Sequence, residues 1–101
     1  MRKIEQAMIE AINSRKSVNL GNTEVKVLND LILVSLFDNV IATIIPSKNK
    51  LHICNCGYVT ATTASRLQAI ISAFGGGKIT RRKGVMSFNG QPFTLSLTIK
   101  F

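Results

Sequence analysis

The sequence predicts a two-layer α+β domain in which two helices pack against an antiparallel sheet, built from a four-strand meander and a C-terminal hairpin. Three observations support this fold class. Two segments carry apolar residues at helical spacing, several short segments alternate or are β-branched, and the links between those segments are too short for crossover helices. With 101 residues, 46% of them hydrophobic, the chain has the size and composition of a single domain over residues 1–101.

Both predicted helices are amphipathic. The first covers residues 2–15, with an apolar stripe formed by Ile4, Met8, Ala11 and Ile12. The second begins in the stretch Thr60-Ala61-Thr62-Thr63, whose threonines are a residue type that caps helix N-termini. Its apolar face consists of Leu67, Ile70, Ile71 and Phe74. The glycines at positions 75–77 end this helix, because glycine readily takes the left-handed conformation of a C-cap.

Strands are predicted on both sides of the second helix. The meander consists of residues 23–28, 31–37, 40–45 and 50–55, with turns at Asn29-Asp30, Asp38-Asn39 and 46–49. After the helix, residues 78–83 and 85–88 are followed by Asn89-Gly90, a hairpin signal. Residues 93–101 alternate without a break, which predicts one half-buried strand at a sheet edge. Pairing of that edge across a two-fold axis would give a homodimer, and the oligomeric state stays open.

Charge is segregated along the chain. All five acidic residues lie in the first 38 positions, whereas residues 39–101 contain eight Lys or Arg and no acid, and the formal net charge is +8. A one-signed surplus of this kind attracts polyanions such as nucleic acid. We therefore expect the cations of the acid-free part to gather on one exposed side.

The densest basic cluster contains Lys78, Arg81, Arg82 and Lys83. One interpretation is a solvated hairpin edge whose charges prevent sheets from pairing. The other is a basic β-ribbon lying on a phosphate backbone. Tyr58 and Phe88 are the aromatic residues whose rings could stack on bases beside such a ribbon.

A second candidate lies at the start of the second helix, where hydroxyl side chains cluster. Thr62 and Thr63 adjoin backbone amides that, at a helix N-terminus, bind phosphate readily. Arg66, expected in the first turn, would add positive charge there. Ordinary helix capping explains the same hydroxyl residues, so both interpretations stay open.

No catalytic or metal signature is found. His52, Cys54 and Cys56 alternate, but a zinc site usually needs four converging ligands, and same-face residues on a strand lie ~6.6–7 Å apart. Packing and free thiols in a reducing cytosol are the better interpretation. Gly75 to Thr80 lacks the spacing of a phosphate-binding loop. We expect no enzyme activity, no metal and no cofactor.

Several segments resemble small uncharacterised proteins of tailed bacteriophages. They are the opening residues Met1 to Gln6, the stretch Asn39-x-Ile41-Ala42, and the block from Gly57-Tyr58 through Thr62-Thr63 to Ile70. The likeness covers roughly residues 1–71, and the basic tail from Gly75 onward lies outside it. The resemblance implies a phage setting and carries no assigned activity.

Taken together, these features predict a phage accessory protein that binds nucleic acid, DNA or RNA, through phosphate contacts with little sequence specificity. The main alternative is a protein–protein effector that inhibits or redirects an acidic host protein, and a third possibility is a structural component of the virion. The longest apolar runs, residues 31–34 and 40–42, are far shorter than the ~20 residues of a membrane helix. No signal peptide is recognised. We therefore expect a location in the cytoplasm of the infected bacterial host, without membrane association.

Overall fold

The computed structural model describes residues 2–101, which form an α+β fold. Its helices are α1 (Lys3–Ser14) and α2 (Ala61–Ala73). Its strands are β1 (Val18–Asn19), β2 (Thr23–Leu28), β3 (Leu31–Leu36), β4 (Asn39–Ile45), β5 (Lys50–Cys54), β6 (Ile79–Arg82), β7 (Val85–Phe88), β8 (Gln91–Phe93) and β9 (Ser96–Lys100). A short 3₁₀ turn, Pro46–Lys48, links β4 to β5. The predicted fold class is confirmed.

The strands form two antiparallel sheets. The main sheet has six strands in the order β1-β2-β3-β4-β5-β9, and the small sheet has three in the order β6-β7-β8. The predicted meander is therefore present as β2 to β5, each strand pairing with the next. The predicted edge is also present, because β9 pairs with β5 and ends the main sheet.

One face of the main sheet supplies most of the core. Along β3, Ile32, Val34 and Leu36 are buried and the residues between them are half-buried, as expected for a sheet covered on one face. The inward residues form one apolar cluster with α1, α2 and the small sheet. Two layers thus result, since each helix can bury its apolar stripe only against that face.

Tight turns connect the hairpins where the sequence predicts them, with one shift. Asn89 and Gly90 have φ values of 50° and 83°, as a primed hairpin turn requires. The turn before β4 is formed by Phe37 and Asp38, at φ 49° and 65°, whereas Asp38-Asn39 was predicted. Asn39 already belongs to β4.

The prediction of one unbroken strand over residues 93–101 is wrong. Phe93 belongs to β8, pairs with Met86 and is buried in the small sheet, while β9 pairs with β5 in the main sheet. Between them, the Asn55 N–H donates to the Leu95 carbonyl at 2.9 Å. Alternation predicts extended backbone, but it does not say which neighbour each half will pair with.

The end of α2 places the small sheet against that helix. Phe74 is the C-cap, and the three following glycines all have positive φ, as predicted. At Gly77 the conformation and the space both require glycine, because a Cβ there would lie 2.6 Å from Cε1 of Phe88. Neither helix in residues 2–101 is long and apolar enough to cross a membrane.

Candidate nucleic-acid interface

The basic cluster lies on the hairpin formed by β6 and β7. Lys78, Arg81, Arg82 and Lys83 are all solvent-exposed. Lys83 and Gly84 form the turn, with φ values of 52° and 75°, so the end of the hairpin carries one of the four charges. The four cations are thus neighbours along one hairpin.

The two arginines of this cluster lie on opposite faces of the small sheet, because successive strand residues alternate. Ile79 is buried and Arg81 shares its side, in register with the buried Met86. Arg82 lies on the other side with Thr80, opposite Val85. The hairpin therefore presents positive charge on both of its faces, and a single phosphate backbone on the outer face would meet Arg82 before Arg81.

Side-chain hydrogen bonds hold the hairpin on α2. Gln68 accepts from the Ile79 N–H at 2.8 Å and donates through Nε2 to the Gly77 carbonyl at 3.0 Å. Asn89 Oδ1 accepts from the Lys78 N–H at 2.9 Å. Gln68 thus fixes the start of β6, beside Lys78, to α2, and Asn89 joins the same point to the turn between β7 and β8 within the small sheet. An anchored backbone limits the entropy lost when a ligand binds.

Within residues 2–101 the only salt bridge joins Arg66 to Glu5. None of the four hairpin cations has a carboxylate partner in that range, so their charge is not neutralised by ion pairs. An uncompensated group of this kind is what attracts a polyanion at low ionic strength.

Arg66 is not part of this surface, contrary to the expectation from sequence. It is the sixth residue of α2 rather than a first-turn residue, and it is 3% exposed. Its Nη1 lies 2.8 Å from Oε2 of the buried Glu5, and its Nε donates to Thr23 Oγ1 at 3.0 Å. Ser65 Oγ donates to the same carboxylate oxygen. Glu5, in the N-terminal part that holds all the acidic residues, therefore neutralises Arg66, one of the eight cations of residues 39–101.

One of the hydroxyl residues at the start of α2, Thr60, is the N-cap of the helix. Thr60 Oγ1 accepts from the Thr63 N–H at 3.2 Å and is 3.0 Å from Thr63 Oγ1. Thr63 is 2% exposed and Thr62 is half-buried. Thr60 therefore caps α2, as the capping interpretation expects, whereas two of the three residues of the expected phosphate anchor, Thr63 and Arg66, lie in the interior.

Tyr58 lies at the rim of a pocket that the sequence did not indicate. The pocket has a volume of about 300 Å³. Its lining residues are Leu36, Phe37, Asn39, Ile41, Asn55, Tyr58, Thr60 and Thr63. Tyr58 is 56% exposed and Phe37 is 65% exposed. Phe88, the other predicted stacking residue, is half-buried and belongs to the apolar contacts around the core.

A smaller cavity connects the segment after Tyr58 with the hairpin turn. Val59, which follows Tyr58, lines this cavity of about 140 Å³ together with Gly84 of the turn. Tyr58 and Lys83 therefore each directly precede a residue that lines the same cavity, although they are far apart in sequence.

The two cysteines are closer than a straight strand would place them. Strand β5 ends at Cys54, and Cys56 has a φ of 55°, which brings the two Sγ atoms to 3.3 Å. Both are free thiols, as expected. Burial, followed by the contact with Cys54, raises the pKa of Cys56 to about 11. Such a thiol is a poor nucleophile at neutral pH.

His52 does not join the cysteines. The ring of His52 is exposed, and its Nδ1 lies 3.0 Å from Oγ1 of Thr98. In the part of the chain that the structure describes, no three His, Cys, Asp or Glu side chains are arranged to hold a metal ion.

Comparison with known protein families identifies a match over nearly the whole chain. A family model described as Kyanoviridae Gp96 protein matches residues 1–100. The match includes the basic hairpin, whereas the resemblance noted in the sequence ended near residue 71. No curated protein and no solved structure matches the chain.

Proposed function

Because the chain belongs to the family described as Kyanoviridae Gp96 protein, a family of small phage proteins, we propose that it is a phage accessory protein that binds nucleic acid without catalysing a reaction. Its proposed place of action is the cytoplasm of the infected bacterium. The family itself has no established activity, so the proposal depends on the chain's own surface.

One observation carries the proposal: four cations without carboxylate partners lie on one anchored hairpin. Lys78, Arg81, Arg82 and Lys83 are exposed, and Gln68 fixes the backbone on either side of Lys78, where the hairpin begins. Phosphate contacts of this type supply most of non-specific nucleic-acid affinity. They carry no sequence information, so we expect little sequence preference.

The salt dependence of binding tests the proposal quantitatively. If all four cations contact phosphates, the affinity for duplex DNA should fall roughly 100-fold between 50 and 200 mM salt, since each contact contributes a slope of about 0.9. Fluorescence anisotropy with labelled single- and double-stranded DNA and RNA measures this. An affinity independent of salt would contradict the proposal, as would absence of binding to every probe at 50 mM salt.

A pair of charge variants locates the contacts. We expect Arg81→Ala/Arg82→Ala to weaken binding and to reduce the salt slope by roughly two. Lys16→Ala/Lys26→Ala is the matched control, because it removes the same charge from exposed positions outside the hairpin. Equal losses in both variants would mean that binding reflects net charge alone and not this hairpin.

A second candidate is a protein–protein effector, which the exposed apolar residues favour. Phe37, Val40 and Tyr58 are 65%, 42% and 56% exposed, and neighbouring apolar side chains of this kind occur at interaction sites. An effector would retain an acidic host protein at salt concentrations that abolish nucleic-acid binding. Pulldown from host lysate treated with nuclease, with the Arg81→Ala/Arg82→Ala variant in parallel, distinguishes the two candidates.

A further inference from the structure

We propose that the pocket between Phe37 and Tyr58 holds one unstacked base of a single-stranded nucleic acid whose phosphates run toward the basic hairpin turn. This inference rests on the proposed function and deepens it, because it names single strands as the preferred substrate class. It also assigns the base-binding role to Phe37, which the sequence placed within a strand.

The pocket has the dimensions and lining of a site for one flat heterocycle. Its volume of about 300 Å³ lies at the lower limit of small-molecule sites. Leu36 and Ile41 are buried in its wall. Asn39 and Thr60 are the more exposed polar residues of the lining; Asn39 Nδ2 donates to the Phe37 carbonyl at 3.1 Å, and Thr60 Oγ1 caps α2. An apolar wall with polar groups at one side suits a base, which has two apolar faces and a polar edge.

The polar groups deepest in the pocket are already engaged within the protein. Asn55 Oδ1 accepts from the Gly57 N–H at 2.8 Å, and Thr63 Oγ1 contacts Thr60 Oγ1 at 3.0 Å. They shape the pocket and have little capacity left to read a base edge. Stacking, which every base can provide, should therefore dominate over hydrogen bonding, and discrimination between bases should be weak.

Neither the turn nor the hydrophobic core explains why a phenylalanine stands at position 37. Its φ of 49° is the left-handed conformation, which is unfavourable for a bulky side chain and is usually taken by Asn, Asp or Gly in such a turn. The ring is 65% exposed, so it gains little from burial. Unfavourable backbone geometry combined with an exposed aromatic ring is typical of a residue kept for binding.

Charge determines which way the strand leaves the pocket. Asp38 follows Phe37 and lines a neighbouring cavity with it, so its carboxylate repels phosphates on that side. On the Tyr58 side, Val59 shares a cavity with Gly84, next to the exposed Lys83. The phosphates of a bound strand therefore pass Tyr58 toward Lys83 and Arg82.

A duplex cannot use the pocket without losing a base pair. Taking a base out of a duplex breaks its base pair and its stacking, whereas a single strand already presents unpaired bases. Contact with the aromatic rim is worth about 1–3 kcal/mol per stacked base. Single strands should consequently bind roughly 5- to 150-fold more tightly than duplexes of the same length.

Tyr58 provides the assay. It is the only tyrosine, and the chain has no tryptophan, so its intrinsic fluorescence reports on the pocket directly. Titration with an oligothymidylate of ~10 nucleotides, within the usual site size of single-strand binders, should quench this emission. The duplex of the same length, bound on the hairpin alone, should leave it almost unchanged.

Phe37→Ala tests the assignment with the fluorophore retained. Single-strand affinity should fall at least fivefold, and duplex affinity should stay unchanged. Leu28→Ala, which truncates another exposed apolar side chain (46% exposed), is the control and should leave both unchanged. Because Phe37 lies on the surface, a thermal melt of the variant close to that of the parent confirms that it is folded.

The outcomes separate this inference from the function on which it rests. If duplex and single strand bind equally and Phe37→Ala affects neither, the base pocket is refuted while nucleic-acid binding stands. Equal losses of both affinities in Phe37→Ala also refute it, because a base site acts only on unpaired strands. If no nucleic acid binds at all, the proposed function fails first, and quenching of Tyr58 by a host protein would indicate the effector instead.

Discussion

Removing the Arg66 guanidinium should cost more stability than any other single loss of charge in this protein. Glu5 is only 3% exposed. In Arg66→Ala its carboxylate would lose the 2.8 Å ion pair with Arg66. Of the contacts described above, it would keep only the hydrogen bond from the Ser65 hydroxyl. Breaking a buried pair from one side typically costs about 3–5 kcal/mol, because the remaining charge is left in the interior.

That loss is a large part of the total. A domain of this size has a free energy of unfolding of about 5–15 kcal/mol, and each kcal/mol corresponds to a shift in Tm of about 4–8 °C. We therefore expect Tm to fall by roughly 12–40 °C. Urea unfolding followed by far-ultraviolet circular dichroism should show a lower midpoint with an unchanged m-value.

The double variant Glu5→Leu/Arg66→Met is the control. It removes both charges and keeps side chains of similar length, so its stability should lie much closer to the parent than that of Arg66→Ala. Under conditions where Arg66→Ala is folded, its affinity for nucleic acid should equal that of the parent. A cost below about 1 kcal/mol, the value of an exposed pair, would refute the buried-pair argument. If Arg66→Ala lost nucleic-acid binding without losing stability, Arg66 would instead belong to the binding surface.

Three further predictions concern the hairpin and the thiols. Gly77→Ala should lower the stability of the protein more than Gly76→Ala, because both residues have positive φ but only at Gly77 would a Cβ contact Phe88. The difference between the urea midpoints of the two variants measures this effect, and equal midpoints would contradict the prediction. Gln68→Ala should speed hydrogen exchange of the Ile79 amide, because Gln68 Oε1 accepts a hydrogen bond from that N–H at 2.8 Å. Exchange of amides in the main sheet should stay the same. At pH 8, alkylation of Cys56 should be roughly 100-fold slower in the folded protein than in urea. The reason is that the pKa of Cys56 is raised from 9.0 to about 11, and two pH units change the thiolate fraction by that factor. The rate in the folded protein should increase with pH up to about 11, and equal rates at pH 8 by mass spectrometry would refute the shift.

The turns and helices could be predicted because their causes are local. Asn89-Gly90 makes a hairpin turn for reasons contained in two residues, and Thr60 caps α2 through a hydrogen bond to Thr63, three positions away. The alternation of β3 likewise follows from the period of a strand. For such features the flanking residues carry nearly all of the relevant energy.

The candidate site could be predicted only in part. The hairpin cations are neighbours in sequence, so their grouping was visible. Phe37 and Tyr58 are 21 residues apart, and nothing in their separate surroundings shows that they share a rim. Arg66 had the charge of a surface residue, and the partner that buries it lies 61 positions away on α1.

The amino-acid sequence by itself determined the α+β class, the positions of the helices, the meander and the segregation of charge, because each depends on periodicity or composition within short segments. The tertiary structure decided that Arg66 is neutralised by Glu5, that residues 93–101 divide between two sheets, and that Phe37 and Tyr58 line one pocket. These contacts join distant segments, and their free energies depend on which surfaces the folded chain brings together and removes from water.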